Sequence, residues 1–341
     1  MGGKALKNTY TERKTTAEMH RIYDEITSVI DSKIGVEAHL VEFYRNKETH
    51  GDLDILLKIV NPIENLKTFV RENFNPNEIF NNGGVISFDY DNFQVDLIPV
   101  RVSEWEATKT FFAWDPTGNL MGKIAHFMGF KYGQRGLVYP MRNFNGRLSH
   151  DILLSKDNHK IFKFLGYDYD KYCKGFNTIE EIFSYIIDNK YFDVNKYKIE
   201  NLTTRDRKRN KKRDSYQKFL KYLTDNNIET TCVTEDREYY LNKSDIFFPD
   251  SQILKKIEEF RKIDNENKEI SEKFNGHLVM KHFPKLVGKE LGTVLNEYKS
   301  SMTDFRQFVL DNTSENIIED FKMWYTVHQN FFHIVYKNKK V

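Results

Sequence analysis

Residues 41–57 read VEFYRNKETHGDLDILL, and the end of this stretch decides the fold. From Asp54 to Val60 the chain is a short run of branched apolar residues ended by Asn61-Pro62, which predicts a buried strand. Successive side chains of a strand alternate between its two faces, so Asp52 and Asp54 are expected to point the same way. Two such carboxylates repel each other unless a cation lies between them.

A third acid lies in a similar setting. Asp96 is inside a second apolar run, FQVDLIPV, which predicts another strand. A carboxylate in a buried strand is costly unless it is paired, hydrogen-bonded or bound to a metal. If the two strands are neighbours, Asp52, Asp54 and Asp96 converge on a site for two Mg²⁺ or Mn²⁺ ions. Acidic pairs at strand ends are also common as solvated turns, and the third acid weighs against that alternative.

The surrounding segments predict a mixed α/β sheet. Residues 15–33 carry apolar side chains three and four positions apart, which indicates a helix ended by Gly35. An extended segment, a helix, a turn and a strand are expected over residues 38–44, 63–74, 83–84 and 85–90. After Pro99 the pattern is mostly helical, with helices expected over residues 158–165, 179–188, 215–224, 251–263 and 304–309.

Length and composition set further bounds. A chain of 341 residues suits two or three domains, and 39% hydrophobic and 14% aromatic residues exclude a disordered chain. The net charge is only +2, so any nucleic-acid site must come from how charge is arranged. The two cysteines, Cys173 and Cys232, have no metal-ligand spacing and are expected to be free thiols. Because no membrane span or signal core is found, a soluble, cytoplasmic protein without a membrane partner is expected.

One segment concentrates positive charge, with seven Lys or Arg among the nine residues 205–213. Two interpretations remain open. One is contact with nucleic-acid phosphates, which depends on salt, and the other is an exposed, solvated face. The residues concerned are Arg205, Arg207, Lys208, Arg209, Lys211, Lys212 and Arg213.

The stretch before the paired acids resembles the palm motif of family X DNA polymerases, which belong to the polymerase-β superfamily of nucleotidyltransferases. The resemblance implies that Asp52 and Asp54 bind both metal ions and that Asp96 helps to activate a primer hydroxyl. It extends, less strongly, over residues 18–190. The matching positions are Phe43, Arg45, Lys47, Glu48, Thr49, Gly51, Asp52, Asp54 and Asp96. It also implies a nucleotide-binding set of Arg45, Lys47, Gly51, Thr117 and Gly118.

The resemblance implies an α+β chain of three domains. These are a mixed-sheet nucleotidyltransferase palm over residues 1–130, a small helical thumb-like domain over 131–200 and a helical carboxy-terminal domain over 201–341. Residues 285–298, KLVGKELGTVLNEY, are similar to a segment in the tail domain of tRNA nucleotidyltransferases and poly(A) polymerases. The alternative for this segment is an ordinary helix start with two glycines.

Two departures from the family pattern matter. Val41-Glu42 replaces a glycine-serine pair that contacts phosphate, and Asp115-Pro116 replaces an aromatic pair that screens the sugar 2′ position. The expected reaction is metal-dependent transfer of a nucleoside monophosphate from an NTP or dNTP to the 3′-hydroxyl of DNA or RNA, with release of pyrophosphate. The alternatives are a nucleotidyltransferase that modifies a protein, a tRNA acceptor or a small molecule, and a non-catalytic nucleic-acid binding module.

Overall fold

The computed structural model describes residues 3–61, 65–229 and 235–337, with side chains as far as residue 329. The chain divides into two compact units, residues 1–141 with 150–254 and residues 142–149 with 255–341. The boundaries expected near residues 130 and 200 both fall inside the first unit. The division into palm, thumb-like and carboxy-terminal domains therefore stays a prediction.

The first unit opens with a mixed five-stranded sheet and two helices, so the predicted α+β class with a mixed sheet is confirmed. Its strands lie in the order β2 (Glu37–Leu40), β4 (Asp52–Ile59), β7 (Phe93–Arg101), β6 (Val85–Tyr90) and β5 (Ile79–Asn82). Strands β4 and β7 are parallel, and the other neighbours are antiparallel. The elements are β1 (Lys14–Thr15), α1 (Thr16–Ile34), β2 (Glu37–Leu40), β3 (Thr49–His50), β4 (Asp52–Ile59), α2 (Leu66–Phe74), β5 (Ile79–Asn82), β6 (Val85–Tyr90) and β7 (Phe93–Arg101).

The two faces of this sheet differ. One face carries the buried side chains of alternate residues in β4 and β7, which form a core with α1 and α2. Each such side chain contributes about 1.5–3 kcal/mol by leaving water, so a slip of one residue would expose the whole set. The opposite face begins with Asp52, Asp54 and Asp96 and continues with Leu56 and Ile98, which pack in a smaller cluster.

Local signals fix the ends of α1 close to the predicted positions. Thr15 accepts a hydrogen bond from the backbone of Glu18, whose side chain accepts one from the Thr15 backbone, and together they form a capping box. Gly35 ends the helix in the left-handed conformation, at φ 58°, which favours glycine. The predicted helix over residues 63–74 is observed from Leu66, and residues 62–64 lie outside the described part of the chain.

The rest of the first unit is mainly helical. Its elements are α3 (Trp105–Phe112), α4 (Thr117–Phe127), β8 (Lys131–Gly133), β9 (Gly136–Arg142), β10 (Leu148–Ser155), α5 (Asn158–Leu165), α6 (Tyr169–Cys173), α7 (Ile179–Ile187), α8 (Thr204–Asn210), α9 (Asp214–Asp225) and α10 (Arg237–Phe247). Cys173 is an exposed free thiol, and Cys232 lies outside the described residues.

The predicted strand over residues 93–100 is observed as β7, with Pro99 opposite Leu57 of β4. The mostly helical pattern expected after Pro99 omits one feature. Residues 131–155 form a three-stranded sheet in the order β10-β9-β8. This sheet depends on a close backbone approach, since a Cβ on Gly136 would lie 2.2 Å from the carbonyl oxygen of Ser155. Such an approach between residues 19 positions apart leaves no periodic pattern in the sequence.

The second unit has a helical core of its own, in which Leu291, Val294 and Tyr298 are buried. The Tyr298 hydroxyl donates a hydrogen bond to Asp320 Oδ2 at 2.7 Å. These three buried residues belong to the segment that is similar to a nucleotidyltransferase tail, and that similarity stays a prediction. The helices are α11 (Ile253–Lys273), α12 (Gly276–His282), α13 (Gly288–Ser300), α14 (Phe305–Asp311) and α15 (Ser314–Lys337).

Across the described residues, no helix is both long enough and apolar enough to cross a membrane.

Candidate active site

The parallel pairing of β4 and β7 brings the three predicted acids together. Asp54 lies directly opposite Asp96 in the register, and Asp52 lies opposite Gln94. Neighbouring strands are about 4.8 Å apart and alternate side chains share a face, so the three carboxylates point to the same side of the sheet. All three line one cavity of about 360 Å³.

Burial and mutual repulsion work against full ionisation of this cluster. Burial, with Asp96 nearby, raises the pKa of Asp52 to about 6. Burial and the neighbouring Asp52 and Asp96 carboxylates raise the pKa of Asp54 well above its ordinary value. Burial also raises the pKa of Asp96, although hydrogen bonds from Ser87 and Gln94 oppose the shift. A cation among these groups would relieve the repulsion and favour three ionised carboxylates.

The donor chemistry of the cluster fits a hard divalent cation. Carboxylate oxygens are the ligands that Mg²⁺ prefers, and it keeps several positions for water or phosphate oxygens. Among the residues that the structure describes, no group of three or more His, Cys, Asp or Glu side chains is already arranged to hold a metal ion.

The loop before β4 places two of the predicted nucleotide-binding residues, Lys47 and Gly51, on the wall of the cavity. His50 anchors this loop, because its ring packs against Phe43 at 4.4 Å and its Nε2 lies 3.1 Å from Thr16 Oγ1. Burial lowers the pKa of His50 to about 3, so its ring is neutral. Burial also lowers the pKa of Lys47, an effect that the nearby carboxylates oppose.

Arg45, by contrast, holds a neighbouring loop in place. Its Nη1 donates to Asn177 Oδ1 at 3.0 Å, and its Nη2 donates to the Lys174 carbonyl oxygen. The Arg45 backbone amide adds a hydrogen bond to the Phe176 carbonyl oxygen. These contacts make Arg45 a tether between the loop before β4 and residues 174–177.

Thr117 and Gly118 are buried at the start of α4. Thr117 Oγ1 donates to the Trp114 carbonyl oxygen. A Cβ on Gly118 would lie 2.2 Å from the Phe111 carbonyl oxygen, so only glycine permits this approach of α4 to α3. The structure thus gives the pair a role in shaping the turn that carries Asp115.

The basic run divides into an inner and an outer group. Arg209 and Arg213 line the cavity that holds the three acids. Arg207 caps a preceding turn, since its Nη2 donates to the carbonyl oxygens of Glu200 at 3.0 Å and Leu202 at 3.1 Å. Arg207 and Arg209 are themselves exposed, and the remaining exposed cations, here called the exposed group, are Arg205, Lys208, Lys211 and Lys212.

An ion pair between Arg213 and Asp115 links the basic run to the acidic side of the cavity. Burial would raise the pKa of Asp115, but Arg213 and Lys47 more than offset it and hold the pKa below its ordinary value. Arg213 Nε is buried and has no hydrogen-bond partner among the described residues. The Arg213 guanidinium therefore keeps one donor that no described residue accepts.

The sequence analysis did not predict that three residues on other segments would line the cavity. They are Arg13, Ser215 and Lys218. Ser215 and Lys218 belong to α9, about 160 residues after β4, and only tertiary folding brings them to the acids. The position of Gln94 beside Asp96 could have been predicted, because Gln94 lies two residues before Asp96 and therefore on the same face of β7.

Glu42 is exposed and lies on the cavity wall, where the family pattern places a phosphate-binding serine. Its carbonyl oxygen accepts a hydrogen bond from the Trp114 amide at 2.8 Å, which fixes the backbone there. The Glu42 carboxylate therefore adds negative charge to the wall of the cavity that the three acids line.

A scan against models of known protein families found no match, and a search of the curated proteins found none either.

Proposed function

We propose that this chain is a metal-dependent nucleotidyltransferase of the polymerase-β type, with the five-stranded sheet as its palm. The observation that supports this most strongly is the register of β4 and β7, which puts Asp54 opposite Asp96 and Asp52 on the same face. These acids share a cavity with Lys47, Arg209 and Arg213. Acids beside a set of cations suit a substrate that combines bound metal with phosphate.

Asp52, Asp54 and Asp96 would hold one or two Mg²⁺ or Mn²⁺ ions. When bound, such ions lower the pKa of the attacking hydroxyl and neutralise charge on the triphosphate and on the leaving pyrophosphate. The protein's own contribution is positioning and charge stabilisation. The parallel register performs the first task, since it fixes the Cα positions of all three acids on the sheet.

In this proposal, residues from α8 to α9 bind phosphate in place of the family's serine. Arg209, Arg213 and Lys218 lie on the cavity wall. Arginine binds phosphate through two parallel hydrogen bonds, which gives both charge and orientation. A phosphate oxygen would also satisfy the buried Arg213 Nε, and an unsatisfied buried donor otherwise costs about 1–3 kcal/mol.

The exposed group of the basic run supports a nucleic-acid acceptor. Arg205, Lys208, Lys211 and Lys212 are exposed and lie beside the residues that line the cavity. Cations on such an exposed segment suit a polyanion that leads its 3′-hydroxyl into the site. A small acceptor would have no use for charge outside the cavity.

The test is transfer of label from each NTP and dNTP, with Mg²⁺ or Mn²⁺, to DNA and RNA oligonucleotides. Asp54→Ala should abolish transfer, because it removes a metal ligand from the centre of the cluster. The matched control is Asp24→Asn, a change to an exposed carboxylate on α1. Its rate should equal that of the unaltered chain.

Three outcomes would contradict the proposal. Transfer by Asp54→Ala at the normal rate would remove these acids from the chemistry. Label found on protein, tRNA or a small molecule, but not on oligonucleotides, would show that the acceptor differs from the proposed one. Oligonucleotide binding without transfer under any metal and nucleotide would favour a non-catalytic binding module.

A further inference from the structure

Residues 3–12, here called the arm, lie on the sheet before α1 begins. The backbone amides of Lys7 and Asn8 donate to the Glu78 carboxylate at 3.1 and 2.8 Å. The Glu12 amide donates to the Asn92 carbonyl oxygen at 2.8 Å, and Leu6 is buried. These bonds use the backbone of the arm and fix its path.

The arm contacts the third acid through one intermediary. The Ala5 amide donates to Gln94 Oε1 at 2.9 Å. The Gln94 amide nitrogen then donates to both carboxylate oxygens of Asp96, at 3.0 and 3.1 Å. Because an amide side chain has one donor end and one acceptor end, the bond from Ala5 fixes which end faces Asp96. The arm thus orients the side chain that orients Asp96.

The arm also reaches the first acid. Gly3 has φ +67°, and a Cβ built on it would lie 2.4 Å from the carbonyl oxygen of Gly51, the residue before Asp52. The Gly3 backbone lies near the Asp52 carboxylate, where it opposes part of the rise in pKa that burial causes. Only glycine satisfies both the positive φ and the close approach. The arm therefore lies next to Asp52 and is linked to Asp96 through Gln94.

We propose that the arm is a positioning element of the metal site, with Gly3 orienting Asp52 and Ala5, through Gln94, orienting Asp96. This inference rests on the proposed function, since it assigns a task at the same site. Groups that hydrogen-bond metal ligands fix their orientation, and losing one typically weakens metal binding by about 10–100-fold. Neither Gly3 nor Gln94 would touch substrate, so their effect should fall on the metal and not on the nucleotide.

The experiment uses the full chain with two variants that disturb the arm at separate points. Gly3→Val introduces a side chain where the backbone approaches Gly51. Gln94→Met keeps the shape of the side chain and removes the amide that bonds Ala5 and Asp96. The controls are Lys4→Ala and Tyr10→Ala, because both side chains belong to the arm and are exposed.

Two measurements follow each variant: Mn²⁺ binding by electron paramagnetic resonance, and nucleotide transfer as a function of Mg²⁺ concentration. Gly3→Val and Gln94→Met should weaken Mn²⁺ binding by about tenfold or more and alter the line shape of the bound ion. Their KM for nucleotide at saturating Mg²⁺ should stay within about twofold, and excess Mg²⁺ should restore the rate. Lys4→Ala and Tyr10→Ala should behave like the unaltered chain.

The outcomes separate this inference from the proposed function. Normal Mn²⁺ binding by a folded Gln94→Met variant overturns the arm's role and leaves the metal site intact. A gain of activity in either variant also overturns it, because the arm would then obstruct the site. If the unaltered chain binds no Mn²⁺, the proposed metal site fails and the arm's role fails with it. Thermal denaturation checks folding, and Gln94→Met decides the question if Gly3→Val does not fold.

Discussion

At the scale of single residues, the positions of its charged side chains define the cavity. Burial raises the pKa of Asp52, Asp54 and Asp96, and neighbouring carboxylates add to the rise for Asp52 and Asp54, while Arg213 and Lys47 hold the pKa of Asp115 below its ordinary value. Glu42 adds another carboxylate at the wall. The site therefore has negative charge where metal is proposed and positive charge where phosphate is proposed, with Glu42 as the residue that does not fit this division.

Glu42 gives the first prediction. Glu42→Ser should lower the KM for nucleotide by about fivefold, because a like charge about 4 Å from a phosphate costs on the order of 1 kcal/mol in water. Glu42→Gln, which keeps the size of the side chain, should lower the KM by a similar factor. Steady-state kinetics at fixed free Mg²⁺ would measure both. An unchanged KM in both variants would show that the Glu42 carboxylate faces away from the phosphates.

Asp115 gives the second prediction, which concerns the sugar. The position where the family pattern has an aromatic screen holds a carboxylate paired with Arg213. We expect ATP and dATP to be used with kcat/KM values within about tenfold of each other. Parallel kinetics with the two nucleotides would measure this ratio. A preference for dATP beyond about a hundredfold, near 2.7 kcal/mol, would mean that another side chain screens the 2′ position.

At the scale of elements, the segment from α8 to α9 supplies basic residues both to the cavity wall and to the exposed surface beside it. The α8 helix is short and is capped at Thr203, whose hydroxyl accepts from the Asp206 amide. Its basic residues divide between the cavity wall and solvent because a helix turns its side chains through about 100° per residue. Charge that looks continuous in the sequence is thus distributed to different faces.

This division gives the third prediction. The triple variant Arg205→Ala, Lys208→Ala, Lys212→Ala should weaken oligonucleotide binding and reduce its salt slope by about 0.7–0.9 for each phosphate that is no longer bound. Its KM for nucleotide should change little. The matched double variant Arg209→Ala, Arg213→Ala should raise the KM for nucleotide instead. Fluorescence anisotropy at several salt concentrations, with parallel kinetics, would separate the two groups. Equal effects of both variants on both quantities would contradict the division.

At the scale of the whole molecule, the acidic cluster links stability to pH and metal. Each acid has a pKa in the folded protein that is raised above its value in the unfolded chain. The stability that each protonated acid contributes is fully present below about pH 4, the pKa in the unfolded chain. It is lost as pH rises through the pKa in the folded protein. For Asp52, a change from 3.8 to about 6 corresponds to about 3 kcal/mol at neutral pH.

The fourth prediction follows because ionisation of these acids at higher pH lowers the stability of the folded protein. In EDTA, Asp54→Asn should have a higher Tm than the unaltered chain at pH 7.5, by several degrees, since about 1 kcal/mol shifts the Tm of such a domain by about 2–4 °C. The difference should shrink toward pH 4, where the acids are protonated. Mg²⁺ at pH 7.5 should raise the Tm of the unaltered chain more than that of the variant. A Tm difference that is independent of pH would contradict the repulsion among these acids.

Several features were predictable because they depend on local geometry. The two-residue period of a strand puts Asp52 and Asp54 on one face, and the three- and four-residue spacing in α1 buries one side of that helix. The capping residues Thr15 and Gly35 act on their own neighbours in the chain. The apolar residues that alternate with the acids also required a covered face, so the burial of the opposite side of β4 and β7 followed from the same pattern.

Tertiary structure alone decided the rest. The bond from Ala5 to Gln94 joins residues 89 positions apart, and the pair of Asp115 and Arg213 joins residues 98 apart. Arg45 donates hydrogen bonds to Asn177 and Lys174, more than 125 positions further along the chain, and its nucleotide-binding role stays a prediction. The sequence determined which residue types each segment offers, since local conformation depends on short-range sterics and burial. Only the folded chain decided which of those residues share a cavity, because distant segments meet through packing that no local pattern encodes.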